Sequence, residues 1–323
     1  MRTWWSHMVL GALMLLGLSA CRAKLHDPIT DTYVQVNFAL ESGVKVPQGF
    51  PVDNPLFAHK ITGERPSTLR LLFYDVETLE LEAEEFLPAE GGFVMLEPGL
   101  YHVLIYGMGT ESSHLDGIDR LNTVYASTNA TGMRVSMAGL VTKGATDYDI
   151  FHEPDHLYAY KLENFEVSRH SATGRSTLID AQLHSLAKTY SFQLKNVEQI
   201  ERVAKVELIV TGQTPGVYVW DGRYPENRRG AISTPCLVDR EAGTISSIFN
   251  SFGRLPGEPV FAYLLITDYQ GHIFQIIYEV TDNIEDPSRP IIEIEDPITI
   301  PDTEGGFTQD VNEWDVEIIP ITL

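Results

Sequence analysis

From Thr32 onward the chain alternates apolar and polar positions with a period of two, and this rhythm recurs along most of its length. Val34, Val36, Phe38 and Leu40 fall on one side, against Gln35, Asn37 and Ala39 on the other. Successive side chains of a strand point to opposite faces, so this alternation predicts a half-buried strand. Leu69, Leu71 and Phe73 repeat it against Arg70, Leu72 and Tyr74. Phe93-Val94-Met95-Leu96 leads through Glu97-Pro98-Gly99 into residues 100–106, where Tyr101, Val103 and Ile105 are in phase. Two strands about a Pro-Gly turn predict a hairpin. Tyr158-Ala159-Tyr160 and Phe165-Glu166-Val167 close the first half.

Residues 168–177 carry no large apolar side chain and mark a domain boundary. Alternation restarts at Tyr190-Ser191-Phe192-Gln193-Leu194 and at Val206-Glu207-Leu208-Ile209-Val210. It continues at 244–249, 261–268 and 272–280, the last two joined across Tyr269-Gln270-Gly271. Residues 196–205 come nearest to a helix and are expected to form a single turn. In the acidic, proline-rich tail, 291–294 and 298–300 are expected to be short edge strands, because proline and charge suit sheet edges. Gly305-Gly306-Phe307 and an in-phase Trp314, Val316 and Ile318 end the chain. Many short strands between Gly/Pro/Asn/Asp turns predict an all-β protein of two tandem β-sandwich domains, at 32–168 and 169–323. Each is large enough to bury its own core.

The N-terminus follows a different pattern. One basic residue, Arg2, precedes an apolar run over 8–18, and Leu18-Ser19-Ala20-Cys21 follows as a bacterial lipobox. A basic start, a short apolar middle and small residues at a cleavage site make a signal peptide over 1–20. The run is too short to span a bilayer, which takes about 20 apolar residues. Cys21 is the expected lipid-attachment site, its thiol diacylated (palmitate-type chains). Two chains supply the anchoring that one cannot. Residues 21–31, with Pro28, form a tether.

The net charge of −22 becomes −23 once Arg2 is removed, with 22 basic against 45 acidic residues. Nucleic acid is therefore not an expected partner, since phosphates demand Lys/Arg clusters. Anionic lipid would repel the chain, which leaves the acyl chains as the membrane contact. Cys236 has no partner once Cys21 is acylated, and is expected to be a small buried hydrophobe.

His152-Glu153-Pro154-Asp155-His156 fits the H-E-x-x-H zinc motif, which needs a helix to bring both imidazoles to one face. Pro154 breaks that helix, so a polar loop is expected, although Asp147, Asp149 and Asp155 lie close in sequence. The acids of the tail lack EF-hand spacing. No nucleophile elbow frames a serine and no Gly-rich phosphate loop is present, so no catalytic, metal or cofactor site is expected. Tyr218, Trp220 and Tyr224 could form an aromatic platform for a sugar ring, and Arg228-Arg229 is expected to pair locally with acids.

Several segments together resemble surface lipoproteins of the fimbrillin superfamily of Bacteroidota. They are the lipobox, Leu96 to Tyr106, and Tyr278-Glu279-Val280-Thr281-Asp282-Asn283-Ile284, similar to a D-V-T-x-Q-I strand. Ile298-Thr299-Ile300-Pro301, Gly305-Gly306-Phe307 and Val311-Asn312-Glu313-Trp314 resemble the I-x-I-P, G-G-F and V-x-x-W ending of that superfamily. The resemblance implies two transthyretin-like sandwich domains. It also implies a non-enzymatic outer-membrane role as a fimbrial (pilus) anchor or as an assembly or adhesion subunit. Such subunits join other fimbrial subunits by strand addition, in which backbone hydrogen bonds give affinity and alternate side chains give register. In stalk subunits an Arg-directed cut removes the first strand; a cut at Arg22 would release the anchor and keep that strand, which favours an uncleaved anchor. Cell-surface display is expected, yet Cys21-Arg22-Ala23-Lys24 lacks the acidic cluster common behind the lipidated Cys of such proteins, which leaves a periplasm-facing anchor open. The alternative is a cell-envelope lipoprotein that binds a glycan or host ligand through the Tyr218–Tyr224 loop.

Overall fold

The computed structural model describes residues 30–38, 45–135, 148–168, 177–226, 228–285, 290–295, 297–300 and 316–319. The expectations for Cys21, 305–307 and Trp314 lie outside them. The chain is all-β, as the alternation predicts. The first part holds β1 (Thr30–Phe38), α1 (Pro55–Thr62), β2 (Thr68–Asp75), β3 (Leu81–Pro88), β4 (Gly91–Leu96) and β5 (Gly99–Met108). Next come β6 (Ser113–Asp116), β7 (Tyr125–Thr128), β8 (Ala130–Val135), β9 (Tyr148–Phe151), β10 (Tyr158–Val167) and β11 (Thr177–Ser185). Then follow β12 (Lys188–Leu194), β13 (Val197–Glu198), β14 (Val203–Gln213), β15 (Gly216–Tyr218), β16 (Gly230–Asp239) and β17 (Thr244–Ser251). The last are β18 (Phe261–Asp268), β19 (Ile273–Glu279), α2 (Thr281–Glu285), β20 (Ile291–Ile294), β21 (Ile298–Thr299) and β22 (Val316–Ile319).

The first sheet runs β3-β2-β5-β10-β11-β1-β4, with β1 parallel to β11 and antiparallel to β4. Val34, Leu71, Val94, Val103, Phe165 and Ala181 point into one core, which every strand of the sheet helps to line. A sheet whose strands all face one core must curl over on itself, giving two facing layers. The second sheet runs β20-β12-β17-β16-β14-β18-β19-β22, with β9 added parallel to β16 and β8 paired to β9. Phe192, Leu208, Phe249, Leu264 and Tyr278 fill its core. A small sheet, β15-β7-β6, lies on the outer face of β2 and β5, where Leu72, Tyr74, Leu104 and Tyr106 meet Ala126, Val217 and Phe252. That cover buries β2 and β5 on both faces, which is why Leu71-Leu72-Phe73-Tyr74 is a continuous apolar run.

Partner choice differs from expectation in three places. β4 and β5 form no hairpin: Glu97-Pro98-Gly99 carries the chain between layers, and β4 pairs β1 while β5 pairs β2 and β10. The Tyr101 hydroxyl donates to the Glu97 carbonyl at 2.9 Å and closes that arch. The sheets also exchange strands across the expected 168/169 division. β11 completes the first core through Ile179, Ala181 and Leu183, whereas β8 and β9 join the second sheet. The passage from one large sheet to the other falls at Leu186-Ala187. Finally, 298–299 pairs with β13 rather than with the sheet edge.

Other expectations hold in register. β18 and β19 pair antiparallel across Tyr269-Gln270-Gly271, β20 is an edge strand on β12, and 200–202 forms the single turn, of 3-10 type. α1 was not anticipated from periodicity, being only two turns long. Its local signals are clear: Asn54 Oδ1 accepts from Leu56 N at 2.9 Å, Pro55 occupies the first turn, and Gly63 ends it at φ 59°. Although α1 follows β1 in the chain, Phe57 packs on Phe50 and on Ile248 of β17.

Candidate functional site

The end of the first sheet that leads back toward Cys21 is built from the starts of β1, β5 and β11 and the end of β4. Thr30 pairs with Leu96, and the Thr30 hydroxyl donates to the Ser168 carbonyl at 3.4 Å. β1 is held on both sides over most of its length, and its Val34 is fully buried in the first core. On the outer face Tyr33 lies opposite both Leu178 of β11 and Phe93 of β4, its ring 4.8 Å from that of Phe93.

At the opposite end, the sequence His152–His156 forms the joint between the large sheets. It contains no helix, as Pro154 dictates. Glu153 Oε2 accepts from Lys60 Nζ of α1 at 2.6 Å, and Oε1 accepts from the Asn250 backbone N–H at 2.7 Å. Lys60 also donates to Thr234 Oγ1 and to the Ile248 carbonyl, at 2.7 and 2.9 Å. The two side chains are only 9% and 16% exposed. Burial pushes the Glu153 carboxyl above its ordinary value, with Lys60 and the Asn250 N–H pulling the other way. Asp155 Oδ2 accepts from the backbone N–H of Ser112 and Ser113. His156 lies 2.8 Å from the Lys60 carbonyl through Nε2, which must donate there, and 2.9 Å from Ser185 Oγ through Nδ1. Both ring nitrogens are thus engaged, and His152 stands exposed. Asp149 pairs with Arg134 at 2.7 Å. Among the described residues no three His, Cys, Asp or Glu side chains gather as a metal site requires. Lys60 was missed from sequence because its partner lies 93 positions away. A cleft of about 620 Å³ opens at this joint, lined among others by Gly63, Met108, Glu153 and His156.

The structure separates the three aromatics of the 218–224 loop. Tyr218 and Tyr224 line one open cleft of about 830 Å³ with Arg223, Arg229 and Pro256. The Arg223 guanidinium stacks over Tyr218 at 4.7 Å and pairs with Asp221. Trp220 does not line that cleft; it packs on the cluster between the small sheet and β5, its ring 5.1 Å from that of His102 of β5. Arg229 pairs with Glu258 at 2.8 Å, the local pairing expected, seen for this member of the basic doublet. His114 Nε2 lies 3.1 Å from Ser127 Oγ and 3.5 Å from Asp116 Oδ2, so serine and carboxylate meet the same nitrogen, whereas a catalytic relay uses opposite ones. Cys236 packs against the second core, and burial pushes its thiol up to about 12.

The family described as a domain of unknown function, DUF5119, matches residues 57–227, just over half of the chain. A candidate fimbrium anchoring subunit of Bacteroides ovatus, Fim4B, is 26% identical over 173 residues, which are 53% of this chain and 48% of that protein. The chain therefore spans about half the length of the curated relative it matches. The solved structure of a candidate adhesin from Bacteroides ovatus is similar over 87% of this chain and 98% of that one, with TM-score 0.56 and 18% identity. A second candidate adhesin from that species covers 89% and 93%, with TM-score 0.50 and 15% identity. At these identities the structural likeness speaks for the fold. Among the described residues no helix is long and apolar enough to cross a membrane.

Proposed function

The chain belongs to the DUF5119 family, and on that premise we propose that it is a non-enzymatic outer-membrane lipoprotein that serves as a fimbrial anchor or as an assembly or adhesion subunit. On this reading residues 1–20 leave on export, acyl chains on Cys21 hold the protein, and 21–29 tether two successive β domains, since β1 already begins at Thr30 rather than at Thr32. Other fimbrial subunits join by strand addition at a sheet edge. The observation that carries the anchor role is β1, which fills the first core and is paired on both sides. A cut at Arg22 leaves it in place. The next arginine, Arg65, lies beyond α1 and precedes Pro66. Likeness to a candidate anchoring subunit supports the same role.

The test is palmitate labelling and N-terminal analysis of the mature protein from its host, together with deletion of its gene. A diacylated chain beginning at Cys21, and fimbriae that detach or change length without it, are expected. A mature chain beginning at Pro66, or one that takes up no palmitate, overturns the anchor reading. Unchanged fimbriae in the deletion strain overturn the fimbrial role. Protease shaving of intact cells distinguishes the cell-surface face from the periplasmic one.

A second reading, a glycan- or host-ligand-binding lipoprotein, is favoured by the cleft that Tyr218 shares with Tyr224. In a glycan-array screen, Tyr218→Ala then abolishes any hit while Trp220→Ala leaves it, because Trp220 stands outside the cleft. The converse result removes this support.

A further inference from the structure

Phe93, Met95, Leu100 and Leu178 are 66%, 62%, 42% and 56% exposed, large costs for apolar side chains. Phe93, Met95 and Leu178 gather at one place, and Leu100 stands at the same end of the sheet. Phe93 and Leu178 flank Tyr33 from either side, and Met95 lies opposite Asp31 on the same face of β4. Leu100 is opposite Glu166 at the start of β5, and Ser168 beyond it meets Thr30. All therefore stand at the end of the first sheet where β1 begins. The other end, marked by Met108, Tyr158 and Ser185, faces the joint and the second sheet. From Cys21 to Thr30 is nine residues, a reach of at most about 30 Å. Acyl chains on Cys21 would hold this end near the bilayer and confine the patch there at high effective concentration.

We propose that Tyr33, Phe93, Met95 and Leu178 form a membrane-resting face that enters the headgroup–acyl boundary beside the lipidated Cys21. This rests on the reading of Cys21 as acylated. An apolar face of this size binds lipid weakly alone and adds a second, orienting contact to an existing anchor. Tyr33 suits that depth, with an apolar ring and a polar tip. Exposed carboxylates stand beside the patch, Asp31 opposite Met95, Asp180 two positions from Leu178, and Glu90 and Glu97 at the two ends of β4, so the matching surface is zwitterionic phospholipid. The consequence is orientation: the first sheet lies on the membrane and the second projects away, with its cleft and edges open to partners.

The experiment uses the full lipidated chain in phosphatidylethanolamine/phosphatidylcholine vesicles, with an environment-sensitive fluorophore at Phe93→Cys. A second variant, Leu178→Cys, guards against a local folding defect, and Tyr269→Cys, 68% exposed on the second sheet, is the reference. Cys236, only partly buried, is replaced by Ser in every variant so that the introduced thiol alone takes the probe. Blue-shifted emission and several-fold quenching by shallow nitroxide lipids are expected at positions 93 and 178 and not at 269. Water-like emission at 93 and 178 in palmitate-labelled protein overturns the membrane-resting face and leaves the anchor standing. A lack of palmitate labelling overturns both. A shift in vesicle-free Cys21→Ser protein that grows with its concentration assigns the patch to contact between copies and overturns the proposal.

Discussion

β4 and β20 are both edge strands of the large sheets, and both bury alternate residues, yet they show solvent opposite chemistry. β4 turns Val94 and Leu96 inward and Phe93 and Met95 outward, with no charge between Gly91 and Leu96. β20 turns Ile292 and Ile294 inward, while outward Glu293 pairs with Lys195, which also reaches Glu295 at 3.2 Å. The inward half of each pattern is dictated by a core. The outward half is free, and charge there normally protects an unpaired edge from adding another chain. β20 has that protection and β4 lacks it, the difference on which the proposed membrane-resting face rests.

Lys60→Ala leaves Glu153 in the joint without its cation, and about 3–5 kcal/mol of stability is expected to be lost. Urea unfolding should show that loss, with the two sheets separating into distinct transitions; one unshifted transition would remove the coupling. The inward halves should prove equivalent: Leu96→Ala and Ile292→Ala, both buried, are each expected to cost about 2–5 kcal/mol by the same measurement. The outward halves should differ. Phe93→Ser is expected to change stability by less than about 0.5 kcal/mol while raising the soluble limit of unlipidated protein, and Glu293→Phe is expected to lower it. Lys195→Ala should cost about 0–1 kcal/mol and lose even that at high salt.

The joint also has a pH signature. The folded-state value of Glu153 is raised, so the folded chain keeps a proton that the unfolded chain has lost once pH passes the ordinary value near 4.5. Its contribution to stability therefore falls as pH rises through the window between the two values. Glu153→Gln is expected to flatten that slope in urea unfolding followed against pH. An unchanged slope would assign it to other groups.

Strand positions were legible because alternation is local: Val34, Leu71, Val103 and Phe192 are inward as their phase predicts. The motif at His152–His156 was half legible. Pro154 excluded the helix, but nothing nearby announced that Glu153 would meet Lys60 or that Asp155 would hold Ser112 and Ser113. The Tyr218, Trp220 and Tyr224 group was separated by a turn in which Tyr218 N donates to Arg223 O at 2.8 Å, sending Trp220 to the other side. α1 could have been found from Asn54-Pro55, a cap followed by a residue suited to the first turn.

The sequence by itself determined the all-β class, the phase of each principal strand, the loop at Pro154 and the acidic balance, because these depend on neighbours a few positions apart. Tertiary structure alone decided which strands pair. It broke the β4–β5 hairpin, lent β8 and β9 to the second sheet and β11 to the first, and brought Lys60 to Glu153. The physical reason is that a strand's alternation specifies which side it buries but not which edge it joins. Backbone hydrogen bonds are alike along every edge, so the choice falls to cores assembled from distant parts of the chain.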